Sequence, residues 1–219
     1  MIWNRKSATP AAAPAAHGID LVSRAANFAL MAHVDARRKD SGEPYANHLA
    51  EVAAHCASVQ PEDGELVAAA WLHDVVEETA FTIEDIATLF GAPVAALVAD
   101  VTDPDGLKGK ARRERQVTHT MNCGPRVKLL KLADKISNVE ELIGLPEERF
   151  DLPGNDRYLK WARRVVAVCR GVAPDLEARF DRAAERLDRE IAQAKVRTRK
   201  PTKPAKSRRK GKPAKETSK

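Results

Sequence analysis

The chain has 219 residues, enough for one compact domain with a sizeable core and too few for two full domains and a tail. Its formal charge of +6 is unevenly spread: from Lys195 onward twelve Lys or Arg residues face one acidic residue, Glu216, so that stretch carries +11 and residues 1–194 carry −5. A mildly acidic body is the reverse of a nucleic-acid-binding core. No run approaches the roughly 20 apolar residues of a membrane span, and Cys56, Cys123 and Cys169 lack CxxC spacing, as expected of ordinary thiols in a reducing compartment.

Residues 1–17 are rich in Ala, Pro and Ser, show no apolar period and lack the unbroken apolar stretch of a signal peptide. They are expected to be a disordered leader, and the chain cytoplasmic. Helical periodicity begins at Ile19 and runs through Val22, Ala26, Ala29, Leu30 and His33 towards Arg38. The loop KDSGEP, with Gly42 and Pro44, separates this helix from the next. Further helices are expected over 48–59, 65–78, 82–90, 93–101, 110–121, 125–143, 155–171 and 174–195. Thr82 and Asp85 make a capping-box start, Gly91 follows the end of that helix, and Pro93, Pro125 and Pro174 occupy first-turn positions. No useful length alternates apolar and polar residues, so strands are not expected and the class is all-α, a multi-helix bundle over 18–194. Residues 195–219 are expected to be a solvated, disordered Lys/Arg-rich arm, with no apolar side chain larger than Pro from Arg197 on.

The segment ELVAAAWLHDVVEET turns abruptly from apolar residues to His73, Asp74, Glu77 and Glu78. On a helix, His73 and Glu77 project in nearly one direction, as do Asp74 and Glu78. Adjacent His and Asp offer a nitrogen and an oxygen to one cation. A second imidazole is available from His48, which opens a helix after GEPYAN, and a second carboxylate from Asp134, which interrupts the apolar run of VKLLKLADKISN. Each alone is equally compatible with a solvated pair, a cap or a buried hydrogen-bond acceptor.

Four blocks occur in order: RRKDSGEPYANH, AAWLHDVVEET, FTIEDIATLFGAPVAALVADVT and KLADKISN. Together they resemble the hydrolase domain of the RelA/SpoT homologues within the HD superfamily, and above all the stand-alone small alarmone hydrolases, over about Ile19 to Leu187. The resemblance implies an HD-domain bundle with one divalent metal, usually manganese, on His48, His73, Asp74 and Asp134. Two imidazoles and two carboxylates without a thiolate suit such an ion, although ligand softness leaves zinc and iron open. Glu77 and Glu78 correspond to the acidic pair that positions water and moves protons, where mutual repulsion and partial burial favour a retained proton. The alternative is a solvated helix end, which an acidic pair at a C-terminus opposes through the helix dipole.

For the nucleotide, the resemblance implies Arg38, Lys39, Asn138 and Tyr158. Arg and Lys neutralise phosphates, Asn138 shares a helix face with Asp134, and Tyr158 offers a ring and a hydroxyl. A solvated charge run at 37–39 and core packing of Tyr158 beside Trp161 are the competing readings, and structural roles suit His33 and His55. Two departures stand out: the family's Glu-Asp pair is Glu77-Glu78 here, and its Pro after the first metal His is Leu49. An extra methylene shifts a carboxylate by about an ångström, enough to cost roughly a hundredfold in rate.

The function so implied is hydrolysis of ppGpp and pppGpp at the ribose 3′ position to pyrophosphate and GDP or GTP. Only the basic tail follows Leu187, so the synthetase domain of the longer homologues is not expected. Two alternatives stand beside it. One is a broader nucleotide phosphatase, since an animal relative also removes the NADPH 2′-phosphate. The other is a weakly catalytic alarmone- or polyanion-binding protein, whose tail attracts nucleic acid or anionic membrane.

Overall fold

The computed structural model describes residues 18–104 and 106–198; the expected leader, and the arm from residue 199, lie outside them. Ten α-helices follow one another: α1 (Gly18–Ala32), α2 (Tyr45–Val59), α3 (Gly64–Leu72), α4 (Val75–Glu78), α5 (Ile83–Phe90), α6 (Ala92–Val101), α7 (Gly109–Asn122), α8 (Pro125–Glu141), α9 (Leu152–Cys169) and α10 (Pro174–Thr198). A 3₁₀ turn at Glu147–Arg149 precedes α9. Among the described residues there is no strand, only an isolated bridge between Arg37 and Pro44, so the all-α class holds. No described helix is long and apolar enough to cross a membrane.

Two helices are buried nearly all round and form the spine. In α3 the run Leu66–Ala70 and Leu72 is buried, and small residues let α1, through Ala25 and Ala29, lie close against it. A Cβ on Gly64 would stand 3.0 Å from the Cα of Gly18, so the two helices start in contact. In α8 eleven residues between Val127 and Val139 are buried, because α2, α6, α9 and α10 surround it. Charges on such an element must find partners, which is why Lys131, Asp134, Lys135 and Ser137 stand in networks rather than in water.

Local chemistry sets the boundaries. Thr82 and Asp85 form the full reciprocal capping box of α5. Gly91, at φ +92°, ends α5 and starts α6 at one residue, a conformation open to Gly and strained for other side chains. Three expectations are corrected. The first helix stops at Ala32, because residues 36–45 fold back: Tyr45 N–H donates to the Ala36 carbonyl (2.9 Å) and Arg38 turns inward. The helix over 65–78 is interrupted after Leu72. α10 passes the boundary at 194 and reaches Thr198, with Ala194 buried and Lys195 paired to Asp156 at 2.8 Å.

Candidate active site

The break at His73 and Asp74 builds the site. α3 ends at Leu72, Asp74 takes φ −102° and ψ −3°, and α4 restarts at Val75. A straight helix would have stacked His73 over Glu77 and Asp74 over Glu78. Instead the two dipeptide side chains turn towards α2 and α8. Nδ1–H of His73 donates to the Ala70 carbonyl at 2.8 Å, which leaves the Nε2 lone pair free. Ser137 gives its hydroxyl proton to Glu51 Oε2 at 2.5 Å, so its oxygen accepts from Nδ1–H of His48 at 2.8 Å. That leaves the Nε2 lone pair of His48 facing inward as well.

The two Nε2 atoms are 3.2 Å apart and lie 3.3 Å (His48) and 3.1 Å (His73) from Asp74 Oδ2. His48 Nε2 is also 3.7 Å from Asp134 Oδ1. Buried lone pairs and carboxylates converging in this way repel one another unless a cation lies between them. His48, His73 and Asp74 are thus placed to hold a metal, with Asp134 beside them. The electrostatics agree. Burial opposes the Asp74 charge, but His73 and His48 overcome it and hold the carboxyl well below its usual range. Burial likewise opposes Asp134, and Lys135 and Lys131 hold it down at about 2. His73 is raised despite its burial, chiefly by Asp74: positive charge is favoured at that point.

Of these groups Asp74 and Asp134 line a cavity of about 540 Å³, with His48 and His73 buried beside them. Its lining includes six cations, Lys39, Arg112, Arg113, Lys131, Lys135 and Arg157, against four acids, Asp74, Glu77, Glu78 and Asp134, so the walls favour an anionic ligand over an acidic floor. Glu77 and Glu78 enter from α4 and behave differently. Burial raises the pKa of Glu77, opposed by the Asp103 N–H at 2.8 Å and by Arg112. Its partners are therefore Asp103 and Arg112 rather than Glu78. Glu78 is exposed on the cavity wall.

The expected nucleotide residues divide. Lys39, Asn138 and Tyr158 line the cavity; Arg38 does not. Arg38 is buried, with Glu141 at 2.8 Å, Glu51 at 3.3 Å, and the Ser137 hydroxyl and carbonyl each at 3.2 Å. It clamps α2 to α8 behind the metal-binding groups. Asn138 donates to Asp134 Oδ1, while Lys135 donates to Oδ2 at 2.7 Å. The buried Tyr158 hydroxyl makes no hydrogen bond among the described residues, and its ring stands edge-on to Trp161. His33 donates to Ala29 and stacks on Tyr45, and His55 is buried away from the cavity lining, so both have structural settings.

Sequence reasoning passed over several neighbours. Tyr45 donates to Asp74 Oδ2 at 2.6 Å, and Lys131, Lys135 and Ser137 surround Asp134 on α8. Helical spacing could have found these: Tyr45 lies three residues before His48, and Lys131 and Ser137 lie three either side of Asp134. Arg112, Arg113 and Arg157 had no such local signal, because they reach the cavity from other helices.

The family model described as "HD domain" matches residues 25–153. Guanosine-3′,5′-bis(diphosphate) 3′-pyrophosphohydrolase MESH1 of Danio rerio is 37% identical over 158 residues, spanning 70% of this chain and 87% of that protein. The Homo sapiens protein of the same name is 38% identical over 157 residues, with the same coverage. A solved structure described as "A metazoan ortholog of SpoT hydrolyzes ppGpp and plays a role in starvation responses" superposes with a TM-score of 0.66 at 34% identity, covering 83% of this chain and 99% of that one.

Proposed function

The chain belongs to the HD-domain family, and from that premise we propose that it is a metal-dependent 3′-pyrophosphohydrolase of guanosine 3′,5′-bis(diphosphate) and of the corresponding 5′-triphosphate. The observation that carries this reading is the convergence of two buried imidazole lone pairs on two carboxylates, Asp74 and Asp134, that line a cation-rich cavity. The activity named for the relatives supports the substrate. His48, His73, Asp74 and Asp134 would hold a divalent ion, and manganese suits a nitrogen and carboxylate set without thiolate. Such an ion supplies positive charge that acidifies water and offsets charge on phosphoryl oxygens.

In the reaction, the oxygen of water adds to the phosphorus bonded to O3′, and the P–O3′ bond breaks. O3′ takes up the proton that water has lost, passed on from Glu78, and pyrophosphate and GDP (or GTP) leave. Glu78, exposed on the cavity wall, accepts the proton of water, and Glu77 orients that water once its own partners release it. Lys39, Lys135 and Arg157 neutralise phosphate oxygens. Tyr158 and Asn138, on the cavity lining, meet the nucleoside. Tyr45 and Lys135 orient Asp74 and Asp134 through hydrogen bonds of 2.6 and 2.7 Å.

The test is to incubate manganese-loaded protein separately with ppGpp, pppGpp and NADPH and to resolve products by ion-exchange chromatography. Pyrophosphate with GDP or GTP is expected, and H73A or D74N should abolish it. Orthophosphate from NADPH without pyrophosphate from ppGpp would overturn the substrate assignment.

A further inference from the structure

Glu77 is fully engaged. Its Oε1 accepts the Asp103 N–H at 2.8 Å, and its Oε2 accepts from Nη2 of Arg112. Arg112, in the first turn of α7, also donates through Nε to Asp103 Oδ2, while Asp103 is held independently by Gln116 and by Arg115 at 3.2 Å. The three partners differ in access: the Asp103 side chain is 6% exposed and that of Glu77 18%, whereas Arg112 is 44% exposed and lines the cavity. One guanidinium therefore has a buried pivot at Asp103 and a second hydrogen-bonding edge at the cavity wall. Rotation about the pivot can move that edge from the Glu77 carboxylate to a phosphate without displacing α7.

The geometry points to Arg112 as a specificity-determining latch: it occupies Glu77 in the unliganded protein, and a phosphate group in the cavity draws it away and frees Glu77 for the attacking water. A phosphate suits this exchange because it carries more charge than a carboxylate and accepts the planar guanidinium fork. Asp103 stays satisfied throughout, since Arg115 and Gln116 do not move. Substrates that bring a phosphate to Arg112 would thus gain an oriented water, and small esters that cannot reach it would not. This rests on the hydrolase reading above, in which Glu77 serves the water.

The test compares wild-type protein, R112Q and R112K, each manganese-loaded, with two probes that do not depend on ppGpp being the substrate. Inorganic pyrophosphate binding is measured by calorimetry, and bis(p-nitrophenyl) phosphate turnover by absorbance. R112Q should weaken pyrophosphate at least tenfold while raising ester turnover several-fold, and E77Q/R112Q should lose that gain. R112K, which keeps the charge but not the fork, should fall between, with metal content and Tm near wild type. Unchanged pyrophosphate binding, or ester turnover in R112Q no higher than wild type, overturns the latch. Failure to cleave ppGpp with the R112Q contrast intact would overturn only the substrate assignment.

Discussion

The chemistry of single residues here depends on which proton each holds, and Ser137 decides it for His48. Its hydroxyl hydrogen goes to Glu51, so His48 must donate from Nδ1 and present Nε2 to the metal-binding cluster. An Ala at 137 removes that constraint and leaves a buried imidazole N–H unpaired. S137A should therefore weaken manganese binding by about 10–100-fold, in line with losses of partners behind metal ligands, as measured by titration of free Mn²⁺ with electron paramagnetic resonance. Affinity equal to wild type would show that the tautomer is set elsewhere. Glu78 offers a second contrast. E78Q keeps its volume but cannot accept a proton, so turnover of ppGpp should fall on the order of a hundredfold with metal content unchanged. E78D should sustain or raise turnover if the family's shorter side chain suits this cavity, and inactive E78D would point to a pocket adapted to the longer arm. His73, Asp74 and Asp134 stand out in the sequence as polar intrusions in apolar runs, but each alone is equally compatible with a cap or a buried acceptor, and their grouping with His48 comes from the resemblance to the RelA/SpoT homologues. Arg38 was misleading for the opposite reason: a basic residue in a loop reads as solvent-facing, and only tertiary structure brings Glu51, Glu141 and Ser137 around it.

Between elements, the site depends on contacts that no local pattern encodes. Periodicity and caps gave most helices to within a few residues, because amphipathic spacing and the Thr82 box are local. The interruption after Leu72 was not legible, since His73 and Asp74 leave the helix to meet groups on α2 and α8 that are distant in sequence. The same holds for Asp103, the knot joining the α6–α7 loop to α4 and α7. Burial opposes its charge, but Arg112 and Gln116 overcome this and depress its pKa below the ordinary 3.8. A carboxylate depressed in the folded state contributes stability that is present above its unfolded pKa and is lost as pH falls through the folded value. D103N should thus lower stability at pH 7 by roughly 1–3 kcal/mol, or about 2–4 °C in Tm per kcal/mol for a chain of this size. The gap to wild type should hold down to about pH 3.8 and narrow below it. Thermal melts from pH 7 to pH 3 check this, and a gap independent of pH would mean that Asp103 acts through packing rather than charge.

Across the whole molecule, the metal-binding groups lie where α2, the α3–α4 break and α8 converge, so a bound ion would join the two buried spines. Without it the fold keeps a cost: buried lone pairs and carboxylates converge beside buried lysines, with positive charge favoured at His73. A ligand that binds only the folded state stabilises it by mass action, about 2.7 kcal/mol at a hundredfold excess over Kd. Chelation with EDTA should therefore lower Tm by several degrees, and added Mn²⁺ should restore it in a concentration-dependent way. D74N separates this effect from general ion binding. It removes a carboxylate that His73, His48 and the Tyr45 hydroxyl favour, so its metal-free form should be no more stable than metal-free wild type, and its Tm should barely respond to Mn²⁺. If D74N gained as much from Mn²⁺ as wild type, the stabilising ion would be bound outside this cluster, and the link between metal and the two spines would fail.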